Sequence, residues 1–277
     1  MTGKGELVTD NLLSSMGGLV NRFFNHSHRR TDPLPSQFPE AWQAMLDRDV
    51  TFYGRLPTDE NRAQLRRDVF WFVNHKTWTP FDVEIDDRKK VVIAAHACIL
   101  LNGRIDLPLF PRTSEVILRS GVFGPRTQTI APDGQIFETY ETRIGEAWYR
   151  GPIVLSWDAI EPLTHARHSP HNVIVHEFAH ALDHLDGWTD GTPPLDNRES
   201  VAEWAELFAG EFNRLRNLVQ GGYALNIDSY GATNPAEFFA VVTEAFFCQA
   251  TALKGQHPAL FEQLRRFFRQ DPSAWNI

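Results

Sequence analysis

The chain has 277 residues, 42% of them hydrophobic and 22% charged, enough apolar material to bury a core without staples and too much for wholesale disorder. Its 27 basic residues against 35 acidic ones give a formal charge of -8, so it lacks the basic face that a general nucleic-acid binder needs. Cys98 and Cys248 lie far apart in the chain, which excludes a thiolate zinc site and a disulfide framework. The longest apolar run, residues 91–101, contains His96 and is too short to span a bilayer. Glu6, Asp10 and Asn11 interrupt any secretory signal pattern, so the expected compartment is the cytoplasm.

Residues 1–37 read as separate from the rest of the chain. Leu12, Leu13, Met16, Leu19, Val20, Phe23 and Phe24 recur at helical spacing, but Gly17 and Gly18 weaken that helix. Residues 26–37 are polar and punctuated by proline, as in a linker. The expectation is a flexible arm or weak amphipathic helix ahead of a folded domain at 38–277. That domain opens on a short helix at 39–47. Thr58 is placed to cap a second helix that runs to about Asn74. Asp86 or Asp87 starts a third, running through Leu101 and closed by Asn102-Gly103. Residues 114–123 change period and read as a strand. Residues 130–141 alternate around Pro132-Asp133-Gly134, the pattern of a hairpin. Residues 151–157, Gly-Pro-Ile-Val-Leu-Ser-Trp, form another strand pattern. Helices are then expected at 170–185, 198–219, 235–250 and 258–269. The fold class is α+β, a small strand-rich middle followed by helices, without internal repeats.

The segment that carries chemistry is His176-Glu177-Phe178-Ala179-His180. Two histidines four residues apart share one helix face, one turn apart, and can bind a single tetrahedral zinc ion. Glu177 points beside that pair and can reach a water there without being a ligand. Val173, Ile174, Val175, Phe178, Ala179, Ala181, Leu182 and Leu185 make this a core helix, an expensive place for two imidazoles unless they bind something. A third protein ligand is required, and spacing leaves several candidates. Asp186 follows His180 by six residues, although Asp183 stands where a glycine turn is wanted. Glu199 and Glu203 lie on the next helix; Glu237 and Glu244 lie seven residues apart on one face of a later one. Asp183 shares the histidine face and is a candidate to hold a ligand histidine by its outer nitrogen or to anchor a neighbouring helix, with Glu244 a similar candidate.

The run His176 to Asp183, taken with Ser229-Tyr230-Gly231-Ala232-Thr233-Asn234-Pro235-Ala236-Glu237-Phe238-Phe239-Ala240, resembles the Mlc titration factor A family of bacterial zinc peptidases. The second segment is similar to the catalytic domain of anthrax lethal factor. The resemblance extends from about Phe38 to the C-terminus and includes the 151–157 strand and Phe268-Arg269-Gln270-Asp271-Pro272. It implies a zincin-like, gluzincin-type domain with one zinc per chain held by His176, His180 and Glu237. It implies Glu177 as catalytic base and Tyr230 as the oxyanion donor. The expected activity is hydrolysis of short peptides in the manner of an aminopeptidase. The alternative implied by the same family is a regulatory protein that sequesters a glucose-responsive transcription repressor, with peptidase activity secondary.

Overall fold

The computed structural model describes residues 38–121, 126–130, 136–140, 151–166, 169–223 and 227–275. The arm expected at 1–37 and the turn at 132–134 lie outside them.

Two helices come first, α1 (Glu40–Asp49) and α2 (Asp59–His75). Thr58 caps α2 as its sequence predicts, its side chain accepting the Asn61 N–H. A strand that periodicity does not reveal comes next, β1 (Thr77–Phe81). Helix α3 (Asp87–Cys98) starts at an Asp86 cap and tightens into a 3₁₀ turn at Ile99–Leu101, so the helical path reaches Leu101 as expected. All residues from Val91 to Leu101 are buried, which explains the unbroken apolar run. The strand expected at 114–123 is β2 (Glu115–Arg119), and the one expected at 151–157 is β5 (Ile153–Ser156). Between them β3 (Arg126–Ile130) and β4 (Ile136–Tyr140) pair antiparallel, with Ile130 opposite Ile136. Strands β1, β2 and β5 form a parallel sheet in that order. Pro80 is tolerated because β1 is an edge strand in it.

The helical remainder begins with the short α4 (Trp157–Ile160), so Trp157 leaves the strand pattern and opens a helix. Then come α5 (Val173–Asp183) and α6 (Arg198–Gln220). Helix α5 starts three residues later than expected because Asn172 caps it, accepting the Val175 N–H. Gly187 closes the 3₁₀ turn after α5 at φ 106°, a left-handed conformation that glycine adopts without strain. The helix expected at 235–250 divides into α7 (Pro235–Cys248) and α8 (Ala250–Gln256), bent by 115° at Gln249. Helix α9 (Pro258–Phe268) closes the fold. Among the described residues no single helix is long and apolar enough to cross a membrane. Helix α7 is apolar on nearly every side because it lies inside, buried from Ala236 to Phe246.

The core joins both halves of the chain. Phe178 on α5 meets Phe72 of α2 at 5.5 Å and Phe110 at 4.8 Å between ring centroids, both edge-on. This α+β arrangement, with a small sheet, a buried α5 and a helical C-terminal part, is the one the sequence predicts.

Candidate metal centre

Helices α5 and α7 pack together, and their contact makes the site. Helix α5 buries Ile174, Val175, Phe178, Ala179 and Leu182. That fixes the opposite stripe, His176 and His180, toward α7; their rings stand edge to face, 5.0 Å apart. Helix α7 begins at Asn234-Pro235, with Asn234 accepting the Glu237 N–H at 2.9 Å. The cap is therefore Asn234, and the Glu237 carboxylate is left for other partners. Its Oε2 lies 3.1 Å from His176 Nε2 and 3.2 Å from His180 Nε2.

These three donor atoms lie within 4.8 Å of one another. Metal–ligand bonds of about 2.0–2.1 Å at tetrahedral angles put neighbouring donors about 3.3–3.4 Å apart. The two separations from Glu237 are close to that value and all three donors lie within 4.8 Å, so two imidazoles and a carboxylate here suit a divalent metal. Among the described residues this is the group of histidines, cysteines and carboxylates that can hold an ion.

Electrostatics agree with the geometry. Burial works against ionised Glu237, but hydrogen bonds from His176 and His180 outweigh it and hold the carboxyl down at about 2. Burial likewise works against a charged His176, and Glu237 and Glu244 outweigh it, pushing that imidazole up to about 10. Half-buried Glu177 is raised, chiefly by burial, with Glu237 and Glu244 adding to the rise and the two histidines opposing it.

The other carboxylates are resolved by position. Glu199 and Glu203 lie exposed on α6, and Asp186 is exposed with its Oδ1 on the Trp188 N–H. Asp183 is fully buried, and its Oδ2 accepts the Gly191 N–H at 2.9 Å. It anchors the loop ahead of α6. Glu244 is the residue on the outer nitrogen: its Oε2 is 3.4 Å from His176 Nδ1, and its Oε1 accepts the Asn172 N–H. His171 Nδ1 lies 3.6 Å from that Oε1. The seven-residue spacing of Glu237 and Glu244 was the available signal, since both carboxylates then face α5 from one stripe of α7.

Tyr230 sits on a 3₁₀ turn (Ser229–Ala232) capped by Asp228, which accepts its N–H at 2.9 Å. Its ring is 6.1 Å from the His176 ring and 41% exposed, so the phenol stands at the mouth of the site rather than in the core.

A His-Glu-x-x-His helix facing a second helix that delivers a carboxylate, beside a small sheet, defines the class: a metallopeptidase with a zincin-like domain. A sequence profile of the Glucose-regulated metallo-peptidase M90 family matches residues 24–269, and the chain belongs to that family. The match begins ahead of Phe38, the start expected from the sequence. An uncharacterized protein of Synechocystis is 34% identical over 273 residues, which cover 96% of this chain and 98% of the relative. The proteins named Mlc titration factor A from Yersinia pestis and Yersinia pseudotuberculosis are 35% identical over 144 residues. Those matches cover 51% of this chain and 52% of each relative, about half the length of both.

Proposed function

We propose that the chain is a zinc-dependent peptidase of gluzincin type that acts on short peptides from their amino ends. The observation that supports it most is the convergence of His176 Nε2, His180 Nε2 and Glu237 Oε2 on one point, beside a half-buried Glu177. These three residues would hold the metal. A bound zinc ion supplies Lewis acidity at the scissile carbonyl and a more acidic water.

The chain's own groups do the rest. Glu177 takes a proton from the attacking water and passes it to the leaving amine. A raised carboxyl suits this second transfer, because the acid it becomes has to persist until the amine departs. Tyr230 donates its hydroxyl to the oxyanion, a role open to a phenol whose ordinary pKa of about 10 keeps it protonated near neutrality. Glu244 faces His176 Nδ1, which would leave Nε2 as the nitrogen that gives up its proton and turns its lone pair to the metal. Strand β5, at one edge of the parallel sheet, offers its outer side to an extended peptide.

A second reading is favoured by the name of the Yersinia relatives, Mlc titration factor A: the chain binds a repressor of the Mlc type. Peptide hydrolysis and repressor binding are compatible, and binding can regulate hydrolysis. The discriminating experiment is cleavage of a short-peptide library by chelated protein before and after zinc is restored, with free and N-acetylated amino ends side by side. Zinc-restored cleavage that favours free amino ends is the expected result. Equal cleavage of acetylated peptides would remove the aminopeptidase assignment, and no cleavage of any peptide would favour the repressor-binding role.

A further inference from the structure

A cavity of about 490 Å³ borders the start of α5, with Asn172 and Val175 in its lining. That is within the usual range for a small-molecule site. None of His176, Glu177, His180 and Glu237 lines it. Its aromatic wall is Phe52, Phe247 and Trp275, with the Trp275 centroid 6.1 Å from Phe52 and 6.2 Å from Phe247. Ile99 and Leu163 extend the apolar surface.

Among the described residues its lining includes no aspartate, glutamate or lysine, and the charged group there is Arg55. Burial holds the His96 imidazole down at about 4 and pushes the Cys248 thiol up to about 12, so both are neutral near pH 7. Arg88 and Arg104 elsewhere in the fold pair with carboxylates. Arg55 instead bonds through Nε to the Thr51 carbonyl at 3.2 Å, and no carboxylate among the described residues pairs with it. A second polar group is short of a partner. Asn172 Nδ2 lies 2.8 Å from His96 Nδ1, which places the imidazole proton on Nε2. That Nε2 is buried without a hydrogen-bond partner, in a ring only 4% exposed that borders the cavity.

We propose that this cavity binds a small aromatic carboxylate, its ring among Phe52, Phe247 and Trp275 and its charge on Arg55. An aryl group matches the aromatic wall, and an anionic head matches the Arg55 guanidinium, which no carboxylate among the described residues pairs with. Asn172 links the cavity to the metal centre. It caps α5, touches His96 through its side chain, and gives its backbone N–H to Glu244, which reaches His176 Nδ1. Occupancy of the cavity therefore bears on how His176 is held.

The test is calorimetric titration of the full chain, free of metal, with 3-phenylpropionate and with its neutral amide. The expected result is saturable one-to-one binding of the acid, about tenfold or more tighter than the amide, since a charge-assisted bond is lost in the latter. Arg55→Gln should bring the two affinities together without lowering the melting temperature. Ala252→Trp, at an exposed alanine on the rim, should abolish binding of both. Saturating acid should also shift the zinc affinity of the wild type and leave that of Ala252→Trp unchanged. No saturable binding, equal binding of acid and amide, or binding that survives Ala252→Trp would overturn the proposal.

Discussion

Replacing Glu244 by glutamine keeps the side chain's volume and removes its charge. In the wild type one oxygen of this buried carboxylate takes the Asn172 N–H and the other faces His176 Nδ1 at 3.4 Å. The amide has one carbonyl oxygen for those two donors, and neither bond to it is charge-assisted. His176 then loses both its orienting contact and the negative charge that raises its basicity. Losing a partner of this kind costs about 10–100-fold in metal affinity, or about 1.4–2.8 kcal/mol. Zinc affinity measured by chelator competition should fall by that factor in Glu244→Gln, and the metal-free melting temperature should fall too, because one buried donor loses its acceptor and the charge that favours protonated His176 is gone. Glu244→Ala should lose the same affinity and also about 1–3 kcal/mol of stability, because the buried Asn172 N–H is left without an acceptor. Zinc affinity equal to wild type in Glu244→Gln would refute the assignment of Glu244 as the partner that holds His176.

His176→Ala, His180→Ala and Glu237→Ala should each lose most of the bound metal in elemental analysis, whereas Asp186→Ala and Glu199→Ala should retain it. Metal binding should release about one proton at neutral pH. In the metal-free protein His176 is protonated until about pH 10, because Glu237 and Glu244 outweigh the burial that disfavours its charge. Zinc affinity should therefore rise about tenfold per pH unit between about pH 7 and 9, and titrations in buffers of different ionisation enthalpy measure the proton count. The raised pKa has the opposite effect on the metal-free fold: its contribution is complete below about pH 6.5 and is lost as pH rises through about 10, which melting curves across that range will register. Tyr230→Phe should keep zinc and KM and reduce kcat by on the order of 10²–10³, the cost of removing one oxyanion donor; an unchanged kcat in steady-state assays would leave Tyr230 a rim aromatic.

The parts of the fold written in local chemistry were legible in the sequence. Thr58 and Asp86 each cap the helix their position predicts, and the helix expected from 235 starts there. The histidine pair was legible for the same reason, since four-residue spacing fixes a shared face. Strand β1 was not, because Thr77-Trp78-Thr79-Pro80-Phe81 carries a proline that argues against a strand unless its edge position is known. The break at Gln249 has no glycine or proline to announce it, so α7 and α8 read as one helix. The third donor and its neighbours depend on how α7 lies across α5. Periodicity ranks Asp183 above Glu244 because Asp183 shares the histidine face, yet Asp183 turns to the Gly191 N–H and Glu244 reaches the imidazole.

In the proposed reaction Glu177 carries the proton of metal-dependent peptide hydrolysis. The most direct measurement is peptide turnover by wild type and Glu177→Gln at matched zinc content and melting temperature. Glutamine cannot take the proton, so the variant should hold about one zinc per chain and lose nearly all turnover. Undiminished turnover at equal zinc content would contradict the account.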